Sequence, residues 1–89
     1  MSDSVVRGIR DEIDAIDRSL IDGLNRRIEI VRHLHDYKVE HGLPLRDPGR
    51  EESMVVELIA SSSGPLSPEG IADFVHNVLD LTRREIHGD

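Results

Sequence analysis

Between Ile9 and Lys38 apolar residues recur at helical spacing for about eight turns, and this stretch more than any other constrains how the chain folds. At about 100° per residue, Val6, Ile9, Ile13, Ile16, Leu20, Leu24, Val31 and Leu34 share one sector of the helical wheel. Arg27 and Lys38 point into the same sector, between the directions of Leu34 and Leu24, where a packed helix ordinarily carries leucine or alanine. Long basic side chains do lie along apolar surface and send their charge to water. Two of them on the core face, three turns apart, instead call for an anion, because charged groups are seldom buried unpaired.

A second seam runs along the same helix. Arg10 lies about 80° from Lys38 around the wheel, in line with Asp17, Ile21, Ile28 and His35. A helix of about 30 residues is roughly 45 Å long, more than the rest of so short a chain covers on two sides. The sequence has 89 residues, with one Phe, one Tyr and no Trp to fill a core. One small domain over residues 1–89, completed by association into a two-fold homodimer, is the expectation.

The remaining elements are marked by their caps. Met1 to Val5 reads as frayed, with Asp3 or Ser4 able to cap the first helix and Asp11, Glu12 and Asp14 favouring the positive end of its dipole. The helix is expected to stop near His41 and Gly42, and Pro44 rules out its continuation. Asp47 followed by Pro48 opens a second helix to about Ala60, with Met54, Val55, Leu58 and Ile59 as its apolar residues. Ser67 and Pro68 repeat the device for a third, whose stripe is Ile71, Phe74, Val75, Val78, Leu79, Thr82 and Ile86. There is no strand pattern, so the fold class is all-α: a long, a short and a medium helix.

Composition excludes several kinds of chemistry. Without cysteine there is no disulfide, thiolate nucleophile or Cys-based zinc site. Five histidines are present, but His33 and His35 point about 160° apart on a helix and the others are isolated, so no metal site is expected. No Ser/His/Asp arrangement or glycine-rich phosphate loop occurs. Eighteen acidic against eleven basic residues give a net charge of −7, which repels nucleic acid and anionic membranes. The start MSDSVVRGIRDE has no apolar core of signal-peptide length and no run is long enough to span a membrane, so a cytoplasmic protein is expected.

What remains is Arg10, Arg27, Lys38 and Arg50, with the carboxylates Asp47 and Glu51 near them in sequence. Arginine forks hold carboxylates, lysine supplies a compact charge and the acids accept from a hydroxyl, so the set suits a small dicarboxylate bearing a hydroxyl. With no evident nucleophile, the chemistry reduces to binding, proton transfer or electrostatic stabilisation.

The segment IRDEIDAIDRSLIDGLNRR, then Lys38, then PLRDPGRE resembles the all-helical class of chorismate mutase. The resemblance covers nearly the whole chain, with its spacing intact from Arg10 to Glu51. It implies an intertwined homodimer of three-helix chains that rearranges chorismate to prephenate without a cofactor, each site receiving one arginine from the other chain. By position that arginine is Arg10. Arg27 is then expected to hold a substrate carboxylate with Arg10, Lys38 to contact the side-chain carboxylate and the ether oxygen, Asp47 and Glu51 to orient the ring hydroxyl, and Arg50 to support them.

The last helix departs from the family pattern of Ser or Thr followed four residues later by Gln or Glu. Aligning apolar stripes puts Thr82 and Ile86 at these positions, while aligning Phe74 with the family's aromatic puts Leu81 and Glu85 there. Either Thr82 at the ring carboxylate or Glu85 at the ether oxygen is recovered, but not both. A mutase for 4-amino-4-deoxychorismate, an isochorismate pyruvate-lyase and a non-catalytic dimerisation module are the alternatives on the same fold.

Overall fold

The computed structural model describes residues 3–87 as three helices, α1 (Ser4–Glu40), α2 (Pro48–Ser61) and α3 (Pro68–His87). Asp3 caps α1, its Oδ1 accepting from the amides of Val5 at 2.8 Å and Val6 at 3.3 Å. Ser4 and Val5 are therefore helical rather than frayed; Met1 and Ser2, expected to fray with them, lie outside the described residues.

α1 ends where a glycine can turn left-handed. Gly42 has φ 64°, and the amide of Leu43 reaches back to the carbonyl of Lys38 at 2.9 Å while that of Gly42 reaches Val39 at 3.3 Å. This pair of bonds is a Schellman cap, which a side chain with a Cβ would strain. It fixes the direction in which the chain leaves Lys38. The Asp47 carboxylate accepts from the Arg50 amide at 3.2 Å with Pro48 in the first position of α2, and Ser67 Oγ accepts from the Gly70 amide at 3.0 Å at the start of α3.

α3 packs against both α1 and α2, which make no comparable packing with each other. Its buried stripe is Ile71, Val75, Val78 and Thr82, at successive spacings of four, three and four residues. Phe74, expected in this stripe, is about half exposed. It lies about 60° or more from Ile71 and Thr82 around the wheel, at the margin of the face, so Val75 takes the central place at 1% exposure.

The molecule is long and thin, 60 × 26 × 20 Å. No residue of α1 is fully buried. Val6, Ile9, Ile13, Ile16 and Leu20 are about half exposed along a single row, Ile13 at 50% and Leu20 at 54%. Among the described residues no helix is long and apolar enough to cross a membrane.

Candidate active site

The C-terminal half of α1, the loop before α2, the first turns of α2 and the last turns of α3 surround a cavity of about 630 Å³. α1 contributes Arg27 and Lys38, the loop Arg46 and Asp47, α2 Arg50 and Glu51, and α3 Thr82 and Arg83. Val31, Leu45, Met54, Leu79 and Ile86 supply apolar wall between them. Five cationic side chains against two carboxylates line this space in a chain whose net charge is −7. The cavity is thus a local reversal of the molecule's field, suited to a small anion.

Arg27 is the most constrained of these groups. It is half-buried, its Nη1 donates to Thr82 Oγ1 at 2.8 Å, and that hydroxyl in turn donates to the carbonyl of Val78 at 2.7 Å. Burial, and next the nearby charge of Arg50, lower its pKa from the ordinary arginine value. The guanidinium remains a cation at neutral pH. None of the ion pairs among the described residues involves Arg27 or Lys38. Two half-buried cations without counter-ions leave donors aimed at the cavity, and a bound carboxylate would relieve the cost of their burial.

The carboxylates are held differently. Asp47 spends one oxygen on the cap of α2, which anchors it at the cavity mouth. Glu51 pairs with Arg83, which also donates to Asp80 Oδ1 at 2.9 Å. Arg50 lies 3.9 Å from Glu57, a loose contact on the solvent side.

Of the residues expected from the sequence, Arg27, Lys38, Asp47, Arg50, Glu51 and Thr82 line this one cavity. Arg10 does not: it is exposed, and 17 positions before Arg27 it lies about 25 Å away along α1. Glu85 is exposed as well and is not part of the lining; Arg32 donates to its backbone carbonyl at 3.3 Å. Of the two registers considered for α3, Thr82 and Ile86 are the residues that face the cavity.

The family model described as chorismate mutase type II matches residues 9–86. The chain belongs to this family. The T-protein of Enterobacter agglomerans is 36% identical over 78 residues, a match covering 86% of this chain and 20% of that protein. The 4-amino-4-deoxychorismate mutase of Streptomyces venezuelae is 43% identical over 42 residues, 47% of this chain and 41% of that one. Among solved structures, the chorismate mutase of Thermus thermophilus (form II) superposes with a TM-score of 0.84 at 29% identity, covering 89% of this chain and 90% of the other. The chain spans about a fifth of the length of the T-proteins it matches.

Beyond the residues that its likeness to the type II chorismate mutases singles out, the cavity has a lining that sequence reasoning missed. His35 and His87 stand edge to face at its rim, 5.3 Å between ring centres, and Arg46 and Arg83 add cations. A signal for Arg83 exists in the wheel of α3, where it falls about 40° from Leu79 and 60° from Ile86, on the edge of the inward stripe.

Proposed function

We propose that this chain rearranges chorismate to prephenate, in a homodimer whose sites each borrow Arg10 from the other protomer. The observation that carries the reading is Arg27: a half-buried guanidinium, held by Thr82 and with no counter-ion among the described residues, in a cavity lined by Lys38 and three more cations. Membership of the type II chorismate mutase family supplies the substrate that fits such a cavity, a dicarboxylate with a ring hydroxyl.

A Claisen rearrangement breaks an ether C–O bond and forms a C–C bond within one molecule, with no external acid, base or nucleophile. The protein needs only to hold the folded conformer and to place donors where charge grows on the ether oxygen. Arg27 grips one carboxylate and Lys38 serves the other together with the ether oxygen. Asp47 and Glu51 accept from the ring hydroxyl, and Arg50 adds positive potential beside them. Thr82 has its own proton committed to Val78, so it acts through Arg27, fixing the direction of the guanidinium rather than donating to the substrate. One turn later Ile86 offers only methyl groups, which leaves Lys38 as this protomer's donor to the ether oxygen.

The exposed row Val6 to Leu20 supports the dimer. Covering the exposed halves of these side chains is worth about 1 kcal/mol each, several kcal/mol per chain as an upper estimate, and a second α1 running antiparallel brings Arg10 toward the other protomer's cavity. The direct test is incubation of the purified protein with chorismate, following loss of substrate and appearance of prephenate. Turnover well above the uncatalysed rate is expected. Binding without turnover would leave a non-catalytic module.

A further inference from the structure

Arg83 lines the cavity, yet the roles above do not use it. Its Nη2 donates to Glu51 and its Nη1 to Asp80, so one guanidinium ties the first turn of α2 to α3. Asp80 lies outside the cavity and its side chain is mostly exposed, whereas Glu51 faces in. Arg83 therefore approaches Glu51 from the α3 side, occupying one carboxylate oxygen and leaving the other for a ligand.

We propose that Arg83 determines specificity: by offsetting the charge of Glu51 and fixing its orientation, it makes the cavity favour a substrate with a neutral hydroxyl at ring carbon 4 over one with an ammonium there. The inference rests on the proposed rearrangement at this site. A paired carboxylate still accepts a hydrogen bond from a hydroxyl, but part of its attraction for a cation is offset by the guanidinium. The other carboxylate, Asp47, is engaged at the cap of α2, and Arg27, Lys38, Arg46 and Arg50 all repel an ammonium. Glu51 is thus where the two substrates would be told apart, and Arg83 is the group that sets its charge.

The Arg83 and Glu51 side chains are 44% and 41% exposed, so solvent screens the pair and the effect is modest. The test compares kcat/KM for chorismate and for 4-amino-4-deoxychorismate in the wild type, Arg83→Ala, Arg83→Lys and Asp80→Asn, with circular dichroism to confirm folding. The wild type is expected to favour chorismate. Arg83→Ala shifts the ratio toward the amino substrate by about 3- to 10-fold and Arg83→Lys by less because a charge is retained without the fork, while Asp80→Asn shifts it slightly the other way, since Arg83 loses a competing carboxylate. Equal loss on both substrates would make Arg83 a structural tie only and overturn the inference, while wild-type turnover of chorismate left the proposed function standing. A wild type inactive on both substrates would remove the two together. Should Arg83→Ala not fold, an unchanged ratio in Arg83→Lys and Asp80→Asn overturns the inference equally.

Discussion

From Val6 to Leu20 the stripe of α1 is unbroken and stands half exposed, whereas from Leu24 to Lys38 it is interrupted by Arg27 and Lys38 and, apart from the half-exposed Leu34, is partly covered. One helical pattern thus serves two purposes. The first half is apolar surface that a second copy of the chain would cover in the proposed dimer, and the second combines packing with charge that the proposed ligand would satisfy. An interruption in an otherwise regular stripe marks the candidate site, and its regularity elsewhere marks the surface proposed for dimerisation.

If the cations of the second half are dispensable, the two halves of α1 do not differ in purpose. Lys38→Ala is expected to lower kcat by about 10²-fold or more, with a smaller change in KM, because its charge matters most as negative charge builds on the ether oxygen. Single-turnover and steady-state kinetics check this, and an effect confined to KM would make Lys38 a ground-state anchor.

The first half is probed by Ile13→Asp, which sets a carboxylate in the middle of the exposed row. Both copies are affected in a symmetric interface, so the dimer dissociation constant is expected to rise by about 10²-fold, with activity falling as dimer is lost. Sedimentation at micromolar concentration reports the mass. The wild type at the mass of one chain under the same conditions would leave the apolar row without the role given to it.

Thr82→Val tests how Arg27 is held. The variant keeps the shape of a buried side chain and removes the oxygen that accepts from the guanidinium. KM is expected to rise about 5- to 10-fold, with kcat less affected, since a positioned cation becomes a mobile one. Glu85→Gln stands at the other end of the scale. Its exposed side chain is not part of the cavity lining, so rate and pH profile should both be unchanged, and a flattened profile would bring Glu85 into the site after all.

Much of this was legible in the sequence because local rules governed it. Asp47–Pro48 and Ser67–Pro68 open helices by chemistry confined to one turn, and Gly42 closes α1 in the same way. Arg27 and Lys38 were visible since one helix fixes their direction relative to the stripe. The pairing of Glu51 with Arg83 was not, because it joins residues 32 apart in sequence and depends on how α2 meets α3. The choice between Ile86 and Glu85 was equally hidden. Adjacent residues differ by about 100° around a helix, and one misplaced aromatic, the half-exposed Phe74, was enough to leave both registers open.

In the proposed dimer the two halves of α1 meet across protomers, the first half of one helix supplying Arg10 to the cavity beside the second half of the other. Mixing Arg10→Ala with Arg27→Ala tests it directly. Each variant alone should be nearly inactive, and after subunit exchange a heterodimer holds one site with both arginines intact. Random exchange between equal amounts predicts recovery of about a quarter of wild-type activity. Folded variants that exchange subunits, verified by a tag on one chain, and remain inactive together would show that Arg10 serves no site but its own.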